Sequence, residues 1–238
     1  MANWIDRILA AVKSFNGRPL YPAIDFAVYR IFHIPLEGNP KDRLLLARIE
    51  ATEYLFQAGL RRQGITKDKI QDLGRESGEF AQYYWTLVKD IPSTYELSAR
   101  SREDILAQFR ATLSRLRGQL GLADIERSSA CSAFTSKLLH WTFPDAFPIT
   151  DTRSRKGISQ MSRDVSLPLK RSSISGCGGE YDKLLRFYLD IRHELREERL
   201  AVVLKEDEDD LPAGLKVRYS WLRVLDKAMW MLGSDEYR

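Results

Sequence analysis

The chain has 238 residues, 44% hydrophobic and 29% charged, which excludes a disordered or fibrous chain and is long enough to bury a substantial core. No apolar run reaches the ~20 residues of a membrane helix, and the first stretch carries Asp6, Arg7 and Lys13, unlike a secretory leader, so a cytoplasmic protein without a membrane partner is expected. The formal charge of +4 permits a polyanionic partner without requiring one, and the two widely spaced cysteines, Cys131 and Cys177, exclude a metal or iron-sulfur site built from cysteine alone.

Helical spacing of apolar residues runs through nearly the whole chain, which predicts an all-α, multi-helix protein. Trp4, Ile5, Ile8, Leu9 and Val12 mark one face of a first helix. Further helices are expected over 23–33, 41–63, 66–75 and 78–90. Ile105, Phe109, Leu113 and Leu116 mark the next, with Ser101-Arg102-Glu103-Asp104 resembling a capping box at its start and Gly118 and Gly121 where it should stop. The remainder fall at 125–142, 151–160, 179–205 and 217–232, between breaks at Pro35–Pro40, Ile91-Pro92 and Phe143–Pro148. No linker is long enough to divide the chain, so a single domain over 1–238 is expected, with sub-lobes near 1–120 and 121–238 flanking a cleft.

Charge is unevenly placed. Between Asp151 and Arg171 stand six basic residues (Arg153, Arg155, Lys156, Arg163, Lys170, Arg171) against two acids, a local +4, which favours contact with nucleic acid. The run Glu206–Asp210 reads as a solvated acidic stretch. Tyr83, Tyr84, Trp85, Tyr219, Trp221 and Trp230 read as core aromatics, and His33, His140 and His193 lack the paired spacing of metal ligands, so no metal site is expected.

The segment from Thr135 to Lys156 is the most informative. Pro144 and Pro148 stop one helix and fix a turn, after which Asp151 falls where its side chain can cap the next helix. Capping alone would account for it. A carboxylate beside Arg153, Arg155 and Lys156 and a positive helix end is also held ionised, and an ionised carboxylate beside bound phosphates can stabilise the charge that develops on a sugar as its base departs. Tyr21-Pro22-Ala23-Ile24-Asp25 echoes Phe147-Pro148-Ile149-Thr150-Asp151 and makes Asp25 a second carboxylate candidate or a buried cap.

Phe147-Pro148-Ile149-Thr150-Asp151, followed by Thr152-Arg153, resembles the proline-aspartate loop of the helix-hairpin-helix (HhH-GPD) DNA glycosylases. The likeness implies that family's all-α fold, Asp151 as the catalytic carboxylate, and duplex DNA with a flipped base as the partner of a monomer. It implies hydrolysis of the N-glycosidic bond without a cofactor, in repair or in defence against modified phage DNA. It also implies DNA contacts from Ser136, His140, Arg153, Arg155, Lys156 and Arg171. The chain departs from the family in its hairpin, since Ser128–Ser136 contains no glycine. Lys137, fourteen positions before Asp151, matches the nucleophilic lysine of bifunctional members in type, and it equally suits a phosphate contact or a solvated face. His140 suits base stacking, a general acid or a packed core histidine. A non-enzymatic DNA-binding module and a helical protein-interaction scaffold are the competing readings.

Overall fold

The computed structural model describes residues 4–122, 129–164 and 179–234. Every regular element among the described residues is helical, in agreement with the apolar periodicity. Two compact units emerge among the described residues, one within 4–26, 148–164 and 179–234, the other within 27–122 and 129–147. The chain passes between them at 26/27 and 147/148.

The first unit holds α1 (Trp4–Asn16), the head of α2 (Leu20–Phe32), α8 (Thr152–Asp164), α9 (Gly179–Asp210) and α10 (Trp221–Leu232). α10 is its centre, packed on α1, α8 and α9, with every residue but Trp230 buried. The crossing of α8 and α10 is unusually close. A Cβ on Gly157 would stand 1.8 Å from the Met229 carbonyl oxygen, and one on Gly233 would stand 1.9 Å from that of Arg153. Only glycine allows such backbone contact. α8 accordingly buries Ser154, Gly157, Ile158 and Met161 at helical spacing and exposes Thr152, Arg153, Lys156 and Ser159.

Because α10 is buried all round, its charged residues need partners inside the protein. Arg223 forms a two-bond ion pair with Asp25, at 2.9 and 2.6 Å, and its third nitrogen donates to Asp226. Lys227 donates to both oxygens of Asp207, at 2.7 and 3.0 Å, and Asn16 joins the pair through a 2.9 Å bond to Asp207. Two sequence expectations are corrected here. Asp207, within the acidic run read as solvated, is buried because it neutralises Lys227, while Glu206, Glu208 and Asp209 are exposed. Asp25 is not a cap: α2 begins at Leu20 with Pro22 in its first turn, where the missing N–H is harmless, so Asp25 lies inside the helix.

The second unit holds the rest of α2, α3 (Lys41–Glu50), α4 (Lys67–Asp72), α5 (Glu79–Asp90), α6 (Arg102–Leu120) and α7 (Ser129–Thr142). The continuous helix expected over 41–63 is broken. After α3 the chain widens into a π-turn at Ala51–Leu55 and Gln57 takes φ 48°, before a 3-10 turn at Arg61–Gln63. The buried Glu53 carboxylate holds the break by accepting the Leu60 and Arg61 N–H groups at 3.1 and 3.0 Å. Arg48 ties this unit together, donating to the Tyr84 hydroxyl and the Phe32 carbonyl, both at 2.9 Å. The capping box at Ser101 is not formed. Its hydroxyl donates to the Glu96 carbonyl at 2.7 Å and no side chain caps α6 there, although Gly121 ends that helix in the left-handed region as expected, with φ 72°.

Candidate active site

Asp151 is the last residue before α8 and is half-buried. Its Oδ1 accepts the Ser154 N–H at 2.8 Å, the geometry of an N-terminal cap, and lies 3.1 Å from the Ser154 hydroxyl. The hydroxyl is also 2.9 Å from Asp226 Oδ1, and Asp226 Oδ2 accepts from Arg223. Thus Asp151 heads a chain of polar groups running through Ser154 and Asp226 to Arg223 and Asp25. The loop before it is fixed from α9, where the buried Tyr181 hydroxyl donates to the Pro148 carbonyl at 2.8 Å.

Two helical turns along α9, Tyr188 is also fully buried, and among the described residues its hydroxyl has no hydrogen-bond partner. Burial raises its pKa well above the usual value, and the neighbouring Asp226 carboxylate adds to the effect while Arg223 opposes it. Tyr188 therefore remains a neutral hydroxyl beside these acids at neutral pH.

The first turns of α8 carry three cations and no acid beyond the capping aspartate. Arg153 is exposed, with its guanidinium 4.3 Å from the centre of the Trp230 ring. Arg155 is half-buried and its Nε donates to the Asp151 carbonyl at 3.2 Å; Lys156 is exposed. Cations at the positive end of a helix oppose its dipole, an arrangement that an external anion would relieve. Arg171 lies outside the described residues.

Ser136, Lys137 and His140 belong to the other unit and are all buried on α7. The Ser136 hydroxyl donates to the Ala133 carbonyl at 3.0 Å. His140 Nδ1 is 2.8 Å from the Phe147 carbonyl, the environment of a packed histidine. The Lys137 ammonium donates to the Phe56 carbonyl at 3.0 Å and lies over the Phe56 ring. That carbonyl sits where the α3 helix breaks off, and cations suit such ends, so Lys137 has a structural task in its own unit. Among the described residues no cluster of His, Cys, Asp or Glu is placed to hold a metal, and no helix is long and apolar enough to cross a membrane. Cys131 is a buried thiol.

The sequence reading missed Ser154, Asp226, Arg223 and Tyr188. A signal for the α10 residues was present: charges at 223, 226 and 227 interrupt a stretch that is otherwise apolar on every side, so they had to be buried and paired. No family model matches the chain, and neither does any curated protein or solved structure.

Proposed function

We propose that the protein is a DNA glycosylase that extrudes a damaged or modified base and hydrolyses its N-glycosidic bond, with Asp151 as the catalytic carboxylate. The reading is supported by one observation above all: Asp151 is half-buried, anchored by Ser154, at the head of a helix whose opening turns carry Arg153, Arg155 and Lys156. The cations suit phosphates on either side of an extruded nucleotide. The carboxylate suits the positive charge that builds on the sugar as the C1′–N bond lengthens. Water then supplies hydroxide to C1′ and its other proton leaves with the base, so an abasic site and a free base result without a cofactor. With the Lys137 ammonium bound to the Phe56 carbonyl, the reaction is proposed to be hydrolytic, leaving the strand intact.

The cap itself favours a second reading, because an aspartate that only caps α8 would need no further role. The protein would then be a DNA-binding module. Mass spectrometry of bases released from a panel of genomic DNAs, including phage DNAs with modified cytosines, separates the two. The wild-type protein should release a base without nicking the strand. Asp151→Asn should lose release by at least about a hundredfold while keeping DNA affinity and melting temperature, because asparagine caps helices as well as aspartate does. DNA binding with no release from any DNA would favour the module; salt-insensitive or absent DNA binding would sink both.

A further inference from the structure

We propose that Trp230 is a positioning residue for Arg153, and that the two form a shelf whose guanidinium grips a phosphodiester group of bound DNA. The inference rests on the reading of the protein as one that binds DNA, and deepens it by singling out one phosphate contact among the cations of α8. Arg48, Arg115, Arg223 and Lys227 also lie over aromatic rings, and each reaches a protein oxygen besides. Arg48 donates to the Phe32 carbonyl, Arg115 to that of Ala111, Arg223 to Asp25 and Lys227 to Asp207. Arg153 differs. Its guanidinium lies 4.3 Å from the centre of the Trp230 ring and, among the described residues, has no oxygen partner.

Both halves of the shelf are fixed before any ligand arrives. Trp230 is the one residue of α10 that is not buried. Its ring meets that of Tyr21, at the head of α2, edge to face with centroids 4.9 Å apart, and that of Phe15, in α1, at 5.9 Å. Phe15 is buried, with Arg223 and Lys227 against its ring. The Arg153 backbone is fixed by the crossing of α8 and α10, since its carbonyl lies against Gly233. A guanidinium laid over a ring keeps its N–H donors around its rim, where two of them can bond one phosphate side by side; a lysine ammonium cannot form that pair. Folding has already removed much of the side-chain freedom that binding would otherwise have to remove. Charge selects the phosphate as occupant. From Thr152 to Gln160 α8 carries Arg153, Arg155 and Lys156 and no acid, and the start of α2, Leu20–Ala23, carries no charge. Of the three cations, Arg155 is tied to the Asp151 carbonyl.

The shelf is tested by the salt dependence of affinity for an oligonucleotide duplex, read by fluorescence anisotropy. Arg153→Gln should weaken binding about tenfold and reduce the slope of log affinity against log salt by about one. Arg153→Lys should keep the wild-type slope and still lose about three- to tenfold, because it keeps the charge without the fork. Trp230→Leu should lose about three- to fivefold with the slope unchanged, and Trp230→Phe should recover most of that loss. In the Arg153→Gln background, Trp230→Leu should have no further effect. Arg153→Lys changes an exposed side chain and carries the test where Trp230→Leu does not fold. Wild-type affinity in Arg153→Lys, or an unchanged slope in Arg153→Gln, overturns the shelf. So does an equal loss from Trp230→Leu with and without Arg153, because Trp230 would then touch DNA by itself. If any of these is found while bases are released, the shelf falls and the enzyme reading stands. The expected pattern with no base released from any DNA upholds the shelf and overturns the glycosylase reading. Absent or salt-insensitive DNA binding overturns both.

Discussion

Arg223 joins α2 to α10 and holds two buried carboxylates at once. Removing a partner from such a cluster leaves charge stranded in a medium that cannot solvate it, which costs more than the intact pair contributes. Arg223→Met should therefore lower unfolding free energy by about 3–5 kcal/mol in a urea titration, and adding Asp25→Leu should recover part of that loss. Equal stability of Arg223→Met and the wild-type protein would show that the cluster is open to water. Single residues were the hardest features to read in the sequence. Asp207 sits among four other acids and nothing local marks it as the partner of Lys227, twenty positions away. Asp25 shares the aromatic-proline lead of Asp151, yet one ends up inside a helix and the other in front of one, because α2 starts three residues earlier than its apolar pattern suggested. Asp151 itself was legible as a cap from Pro148 and the helix that follows; its link to Asp226 was not, since that depends on which helix lies against α8.

At the scale of elements, periodicity located the helices and failed where the backbone is steered by a distant group. The π-turn after α3 is held by Glu53 and Lys137, and α9 changes direction at Arg196, with φ 52° and ψ 163°, inside an uninterrupted run of helix-forming residues. The break at Arg196 carries no glycine or proline to announce it, whereas Gly59, at φ 94°, lies within the first. The close crossing of α8 and α10 was equally hidden, for Gly157 and Gly233 look like ordinary helix glycines until the opposing carbonyls are in place. Glycine-to-alanine substitutions distinguish the two situations. Gly157→Ala should destabilise by more than about 3 kcal/mol or prevent folding, since the new methyl group meets Met229 backbone rather than a movable side chain. Gly118→Ala, within α6 and with nothing near its Cβ position, should instead stabilise by about 0.5–1 kcal/mol through better helix propensity. Denaturant unfolding of the pair checks both signs; a tolerated Gly157→Ala would mean the helices are not in backbone contact.

For the whole molecule, the all-α class was legible because apolar spacing is a local property, while the interleaving of the chain into two units was not, since residues 4–26 find 148–164 and 179–234 across more than a hundred intervening residues. That interleaving buries tyrosines from separate stretches, and their hydroxyls govern how the protein meets alkali. Burial raises the pKa of Tyr181 and Tyr188 well above 10, and raises that of Tyr84 against the opposing effect of Arg48. A raised folded-state value means that stability is fully present below the unfolded value near 10 and is lost as pH climbs beyond it, because only the unfolded chain can release those protons. Each such tyrosine removes about 1.4 kcal/mol per pH unit, so Tyr181 and Tyr188 together should remove roughly 3 kcal/mol per unit above pH 10. Lys227 works in the opposite sense over a lower range: burial lowers its pKa from 10.5 against the pull of Asp207, so its contribution grows with pH only until the unfolded ammonium has titrated. Stability should thus hold up to about pH 10 and then fall steeply. Tyrosinate absorbance at 295 nm and helical circular dichroism, followed together from pH 8 to 12, should show a late group of tyrosines ionising in the same step in which the helices melt. Complete ionisation with the helices intact would show that these hydroxyls are reached by solvent in the folded protein.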